Sequence, residues 1–183
     1  MKRIALFASH NGSVFESIYK YTQNSNHSIE LIITNNNDAN ILSKAKQHNI
    51  NAHIVNNKTD ENPTQKIVKL LKQNQCNLVI LAGYMKMIPK QLTDNYTIIN
   101  SHPALLPNYG GKGMYGRNVH EAVIKNKEKI SGVTIHYVNE VYDDGEIILQ
   151  KSIKLSENET VESLENKIKQ LEQIAIIEAI NLV

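Results

Sequence analysis

Hydrophobic residues along the chain arrive in short dense runs separated by polar, turn-forming stretches, and the period of each run predicts an element. Lys2–Ala8 has the length and content of a buried strand, and Ser9-His10-Asn11-Gly12-Ser13 breaks it before a helical pattern starts near Val14. Ser28–Thr34 predicts a second strand, Ala39–His48 an amphipathic helix with Ile41, Leu42 and Ala45 on one face, and Ala52–Val55 a short third strand. The next polar loop ends at Pro63, a residue suited to the first turn of a helix, which the pattern carries to Gln73. Leu78–Ala82 is a fourth strand, and Gly83–Pro89 leaves it as an apolar loop. Thr97–Ile99 reads as a further buried strand, Val119–Asn126 as a short helix, Lys129–Val138 as a half-buried strand and Glu146–Leu155 as a strand entered through a turn. Glu159–Val183 predicts a long helix with Leu164, Ile168, Leu171 and Ala175 at helical spacing. Alternating strands and helices of this kind predict an α/β protein. The expectation is a mostly parallel, doubly wound, Rossmann-like sheet with helices on both faces and an antiparallel strand in the C-terminal part.

Composition narrows the class. A chain of 183 residues with 41% hydrophobic content can bury a proper core, and it shows no repeat or linker, so a single domain over residues 1–183 is expected. The net charge of +2, from 20 basic and 18 acidic residues, gives no electrostatic case for nucleic acid or a membrane surface. One cysteine, Cys76, excludes an internal disulfide and reads as a packing residue. No apolar stretch reaches the length of a signal-peptide core or a membrane span, and no His/Cys spacing suggests a metal site, so a cytoplasmic protein without a metal is expected.

Candidate chemistry concentrates after the Thr97–Ile99 run, where Asn100, Ser101 and His102 precede Pro103 and Pro107. Carboxyl ends of strands are where ligands bind in open α/β sheets. Strand alternation puts Asn100 and His102 on one side and turns Ser101 away. Two N–H donors aimed at one point form an oxyanion site, and an imidazole can also relay a proton. A Pro-flanked turn is the competing reading. Gly110, Gly111, Gly113 and Gly116 then let main chain approach a ligand, and Asp143-Asp144-Gly145 supplies either a catalytic carboxylate or an ordinary Asp-Gly turn. Near the N-terminus, Gly12 and Ser13 are either a phosphate-binding strand-turn-helix or a plain turn capped by Ser13. Met85, Met87 and Ile88 either face a flat aromatic ligand or cap the core. His136 reads as a satisfied structural histidine.

Asn100-x-His102-Pro-x-Leu-Leu-Pro, the glycine-rich segment, Gly132-x-Thr134-x-His136-Tyr137-Val138 and Asp143 before Gly145 together resemble the 10-formyltetrahydrofolate-dependent formyltransferase family, from Lys2 to the last helix. The resemblance implies transfer of the formyl group of 10-formyltetrahydrofolate, a co-substrate, to an amine, with no metal or redox cofactor. Asn100, His102 and Asp143 become the implied catalytic set, Asp143 pairing with His102 and Asp144 standing where relatives carry glycine or alanine. Gly12 and Ser13 match the loop that holds a ribonucleotide phosphate, in which Val14 also lies, and Glu172 matches a glutamate that contacts the ribonucleotide. In that loop His10 replaces a usual glycine and Val14 a usual asparagine, removing one side-chain donor. Met85, Lys86, Met87, Ile88 and Asn100 match the folate-binding set, and His120 matches a histidine that often comes just after the glycine-rich loop. The implied acceptor is glycinamide ribonucleotide of de novo purine biosynthesis, with an amino-sugar nucleotide, or a non-catalytic folate- or nucleotide-binding role, as the alternatives. Relatives acting on tRNA or hydrolysing the folate carry an extra domain for which the chain has no room. The expected partners are the two small molecules, with neither nucleic acid nor membrane, and a homodimer is left open.

Overall fold

Strands form where the apolar runs predict them. The computed structural model describes residues 1–183 and divides into two units, Met1–Ile99 and Asn100–Val183. The first holds β1 (Arg3–Phe7), α1 (Phe15–Thr22), β2 (Ser28–Thr34), α2 (Ile41–Gln47), β3 (Ala52–Ile54), α3 (Pro63–Gln73), β4 (Leu78–Leu81) and α4 (Lys90–Thr93). Its strands lie in the order β3-β2-β1-β4, and β1–β2, β1–β4 and β2–β3 all pair parallel. Ile4–Phe7 and Leu78–Ile80 are wholly buried on both faces, which is why these strands read as unbroken apolar runs rather than alternations. α3 starts at Pro63 because Asn62 accepts from the Gln65 N–H, a cap worth about 1 kcal/mol.

β5 (Thr97–His102) begins in the first unit and ends in the second. The second unit continues with α5 (Arg117–Lys125), β6 (Ile130–Tyr137), β7 (Ile147–Lys154) and α6 (Val161–Leu182). β6 and β7 pair antiparallel from Ile130↔Lys154 to His136↔Ile147. The protein therefore has a seven-stranded, mostly parallel sheet with an antiparallel C-terminal pair, the α/β class expected from the sequence.

β6 differs from the half-buried strand expected: Ser131 through His136 are all buried. Thr134 is satisfied there by the Ala104–Leu106 main chain, whereas Ser131 Oγ is buried without a hydrogen-bond partner. α6 opens on a reciprocal capping box between Thr160 and Ser163 and buries Leu164, Ile168, Ala175, Ile176, Ala179 and Ile180, leaving Leu171 half-buried.

Candidate active site

Asn100 and His102 stand at the C-terminal end of β5 on one side of the strand, and His102 is only 3% exposed. The chain beyond them is pinned from β6. Thr134 Oγ1 donates to the Ala104 carbonyl (2.7 Å) and accepts from the Leu106 N–H (3.0 Å) and from Gln150 Nε2 (2.9 Å), so the segment after His102 has a fixed course. Ser101 Oγ, on the other side, is buried without a hydrogen-bond partner.

Both ring nitrogens of His102 face acceptors. Nδ1 lies 3.5 Å from Asp143 Oδ1, and Nε2 donates to the Tyr109 carbonyl at 2.8 Å. The first is an ion-pair contact when the ring is protonated, and the second a hydrogen bond. Asp143 Oδ1 also lies 3.6 Å from His136 Nε2, while Oδ2 accepts from the Gly111 N–H at 2.9 Å. Burial alone would raise the carboxyl's pKa, but the His102 imidazole, with the Gly111 amide, overcomes it and holds the group well below the usual carboxylate range. Asp143 is therefore an anion at neutral pH. His136 also reaches Asn100: Nε2 is 3.1 Å from Asn100 Nδ2, and Nδ1 donates to the Tyr137 carbonyl at 2.7 Å.

The main chain is bent to make this arrangement. Tyr109 and Asp143 both adopt left-handed backbone, with φ of 58° and 55°. Such residues cost roughly 1–3 kcal/mol each and persist only where surrounding structure enforces them. Tyr109 is enforced by its hydroxyl, which donates to Glu128 Oε1 at 2.6 Å and accepts from Asn126 Nδ2 at 2.9 Å. Asp143 is enforced by the turn beyond it. A Cβ on Gly145 would collide with the Tyr137 carbonyl, so only glycine lets the chain fold back for the Tyr137 N–H to donate to the Glu146 carbonyl. Asp144 is exposed. Of the two neighbouring aspartates, Asp143 is the one brought to the histidines.

The other sequence-predicted residues divide between the units. In the first, Gly12 has φ of 60° and lies so close to α2 that a Cβ would sit 2.6 Å from Ile41 Cδ1. The Ile41 N–H donates to the His10 carbonyl (3.1 Å), which holds the loop's main chain, and Asn40 Nδ2 to Asn11 Oδ1 (2.8 Å), which holds a side chain. Ser13 is exposed just before α1, whereas Val14 is completely buried, so only its main chain is available to a ligand. Ser9 Oγ donates to Asn35 Oδ1 (2.6 Å) and accepts from the Met85 N–H (2.8 Å), and the Ser9 N–H donates to the Gly83 carbonyl (3.1 Å). The Ser9–Ser13 loop and the Gly83–Ile88 segment are thus tied together. Met85 and Met87 are exposed, as is Lys86, while Ile88 turns into the core. In the second unit, Glu172 is half-buried on α6.

His120 is buried on α5 with Nδ1 unpartnered. Burial lowers its pKa more than Glu165 raises it, with Lys169, Arg117 and His102 adding to the lowering, so it is held neutral. The roles of His136, Tyr109 and Thr134 have no local signature. The hints in the sequence are that Thr134 and His136 share a strand face and that both belong to the Gly132–Val138 segment that carries the family resemblance.

An amide and an imidazole–carboxylate pair converging at a strand end suit attack on a carbonyl, and the whole-chain comparisons agree in kind. The chain is 36% identical over 179 residues to phosphoribosylglycinamide formyltransferase of Bacillus subtilis (strain 168), covering 94% of this chain and 89% of that protein. It is 35% identical over 191 residues to the chloroplastic phosphoribosylglycinamide formyltransferase of Arabidopsis thaliana, covering all of this chain but only 65% of the plant protein's length. The crystal structure of glycinamide ribonucleotide transformylase 1 from Geobacillus kaustophilus superposes with a TM-score of 0.89 at 29% identity, over 100% of both chains. A family model described as formyl transferase matches residues 2–180, and on that match, which takes in the β5 triplet and the Asp143 turn alike, the chain belongs to the formyl transferase family.

Proposed function

We propose that the protein transfers the formyl group of 10-formyltetrahydrofolate to the primary amine of glycinamide ribonucleotide, a step of de novo purine biosynthesis, and that residues 1–183 act as one formyltransferase domain. The observation that carries the reading is the Asn100, His102 and Asp143 cluster: two N–H donors beside a half-buried carboxylate.

In the proposed reaction the substrate amine attacks the formyl carbon and its oxygen gains negative charge. Asn100 Nδ2–H donates to that oxygen, and His102 Nε2–H does the same once the oxygen replaces the Tyr109 carbonyl as its acceptor. Asp143 keeps the imidazolium oriented and compensates its charge. As the tetrahedral intermediate collapses, the carbon–nitrogen bond to the folate breaks and a proton leaves the new ammonium for the departing folate nitrogen, carried by His102 or by a water on Asp143. Gly12, Ser13 and the main chain of Val14 receive the ribonucleotide phosphate at the start of α1. Glu172 is the glutamate that the resemblance assigns to contact with the ribonucleotide. Met85, Lys86, Met87 and the main chain of Ile88 receive the folate ring. The test is consumption of 10-formyltetrahydrofolate by the purified protein. Turnover that requires glycinamide ribonucleotide supports the reading. Loss without any amine makes the protein a hydrolase, preference for an amino-sugar nucleotide changes the acceptor, and no turnover makes it a binding protein.

A further inference from the structure

His136 is 2% exposed and both of its ring nitrogens are engaged, so it passes as a histidine that merely completes the interior of β6. Its tautomer says more. The Tyr137 carbonyl, 2.7 Å from Nδ1, can only accept, so Nδ1 carries a proton. In the neutral ring Nε2 then has a lone pair. That lone pair faces Asn100 Nδ2 at 3.1 Å, within hydrogen-bonding distance, and Asp143 Oδ1 at 3.6 Å, beyond it. A lone pair and a carboxylate oxygen have no proton to share, whereas an amide N–H and a lone pair do. The contact that holds is therefore the one to Asn100.

We propose that His136 is a positioning residue for the formyl-transfer reaction: the neutral Nδ1–H ring accepts from Asn100 and fixes which end of that amide is nitrogen. An asparagine amide has nearly the same shape in its two flipped orientations, but only the orientation with nitrogen towards the site provides an oxyanion donor. The hydrogen bond to His136 consumes one N–H, excludes the flipped orientation, which would set the amide oxygen against the ring's lone pair, and leaves the second N–H for the formyl oxygen. The chain from the Tyr137 carbonyl through His136 to Asn100 is thus an orienting relay on the amide, parallel to the one that Asp143 provides for His102. The claim rests on the formyl-transfer reading for its kinetic consequence, but the amide's orientation stands by itself.

The test has two arms. In steady-state kinetics, His136→Phe, which keeps ring shape but has no acceptor, should lower kcat about tenfold to a hundredfold and leave both Michaelis constants within about twofold. His136→Gln, whose amide oxygen restores an acceptor, should recover most of the loss. In an Asn100→Ala background His136→Phe should cost less than about twofold more, whereas in an Asp143→Asn background its cost should persist. A full effect of His136→Phe without Asn100, or an effect on the Michaelis constants alone, overturns the proposal. If His136→Phe does not fold, His136→Leu replaces it in the same comparisons. The second arm needs no turnover: in the free protein the side-chain amide protons of Asn100, monitored by ¹⁵N NMR, should show one slowly exchanging proton that is lost on substituting His136. Equal exchange of the two protons in the wild-type protein overturns the proposal even if the protein proves to be no formyltransferase, while a protected proton in an inactive protein upholds the orientation and removes only the function.

Discussion

At the end of β5 the candidate groups are side chains, each held by a second group: Asn100 by His136, and His102 by Asp143 and the Tyr109 carbonyl. The Ser9–Val14 loop is built the other way. What α2 grips there is largely main chain, through the Ile41 N–H on the His10 carbonyl, and Gly12 is shaped by its lack of a side chain. Substitution should therefore be felt very differently in the two places. The loop carries His10 and Val14 where the resemblance implies glycine and asparagine, and its main chain is held from α2 through the His10 carbonyl. Around His102, by contrast, replacing one side chain leaves its partner unsatisfied.

The largest expected effect comes from that difference. Asn100→Ala should lower kcat by about two orders of magnitude or more, the usual scale for an oxyanion donor, and His102→Ala at least as much. His10→Gly, at the other region, should change kcat and both Michaelis constants by less than about twofold. Steady-state kinetics on the three variants checks the contrast. Near-normal turnover in Asn100→Ala, or a collapse in His10→Gly, would break it.

Next in size is the distinction between the two aspartates. Asp143→Asn should lower kcat about tenfold or more, and Asp144→Asn, exposed in the turn, less than about twofold. Asp143 also makes a pH prediction. Its folded pKa lies below the ordinary value of 3.8, so the native state binds fewer protons than the unfolded chain in that window. Its stabilisation is fully present above that ordinary value and is lost as pH falls towards the folded pKa. Asp143→Asn should accordingly be less stable than wild type at pH 7, with the gap closing below about pH 4. Denaturant unfolding at pH 7 and pH 3 measures both ends.

That aspartate pair also marks how far the sequence can be read. Asn100 and His102 are visible because a strand's period of two puts them together and Pro103 restricts the backbone immediately after them. Asp143 and Asp144 cannot be told apart by period, since either fits an Asp-Gly turn. The choice is made by a left-handed φ at Asp143 and by the close approach of Gly145 to Tyr137, both products of folding. His136 is harder still, because its partner Asn100 is 36 residues away and no local pattern records that contact. The alternation in β6 predicts a half-buried strand because polar residues on one face ordinarily meet water, whereas Thr134 meets the Ala104–Leu106 main chain instead. α4 spans four residues after Pro89, too few to show a helical period. Where an element is long and its burial regular, as in α3 and β2, the predicted ends are those observed.

A smaller effect should come from Gly12. Alanine there meets a left-handed φ of 60° and Ile41 Cδ1 at 2.6 Å. The two together should cost about 1–3 kcal/mol and raise the Michaelis constant for the ribonucleotide several-fold, leaving that for the folate unchanged. Adding Ile41→Val, which removes the clashing methyl, should return part of the stability but not the part due to φ. A rise in the folate constant instead would detach the loop from the phosphate.

The smallest expected effect on activity is at Val14, where the two regions can be compared most sharply. Restoring the asparagine usual in the family should add a phosphate contact if the side chain there reaches the ligand, and a hydrogen bond to a charged group is worth about 1.5–3 kcal/mol, or roughly tenfold or more in affinity. Val14 is, however, completely buried at the N-cap of α1, beside Phe15 and Ile18, which are buried as fully. An amide placed in that packing loses its water without a partner, a penalty of about 1–3 kcal/mol. Val14→Asn should therefore lower stability by about that amount in urea unfolding while the Michaelis constant for the ribonucleotide stays within about twofold. If instead the constant falls tenfold at little cost in stability, the side chain has turned out of the core to the phosphate, and the loop is a side-chain site after all, built like the one at His102.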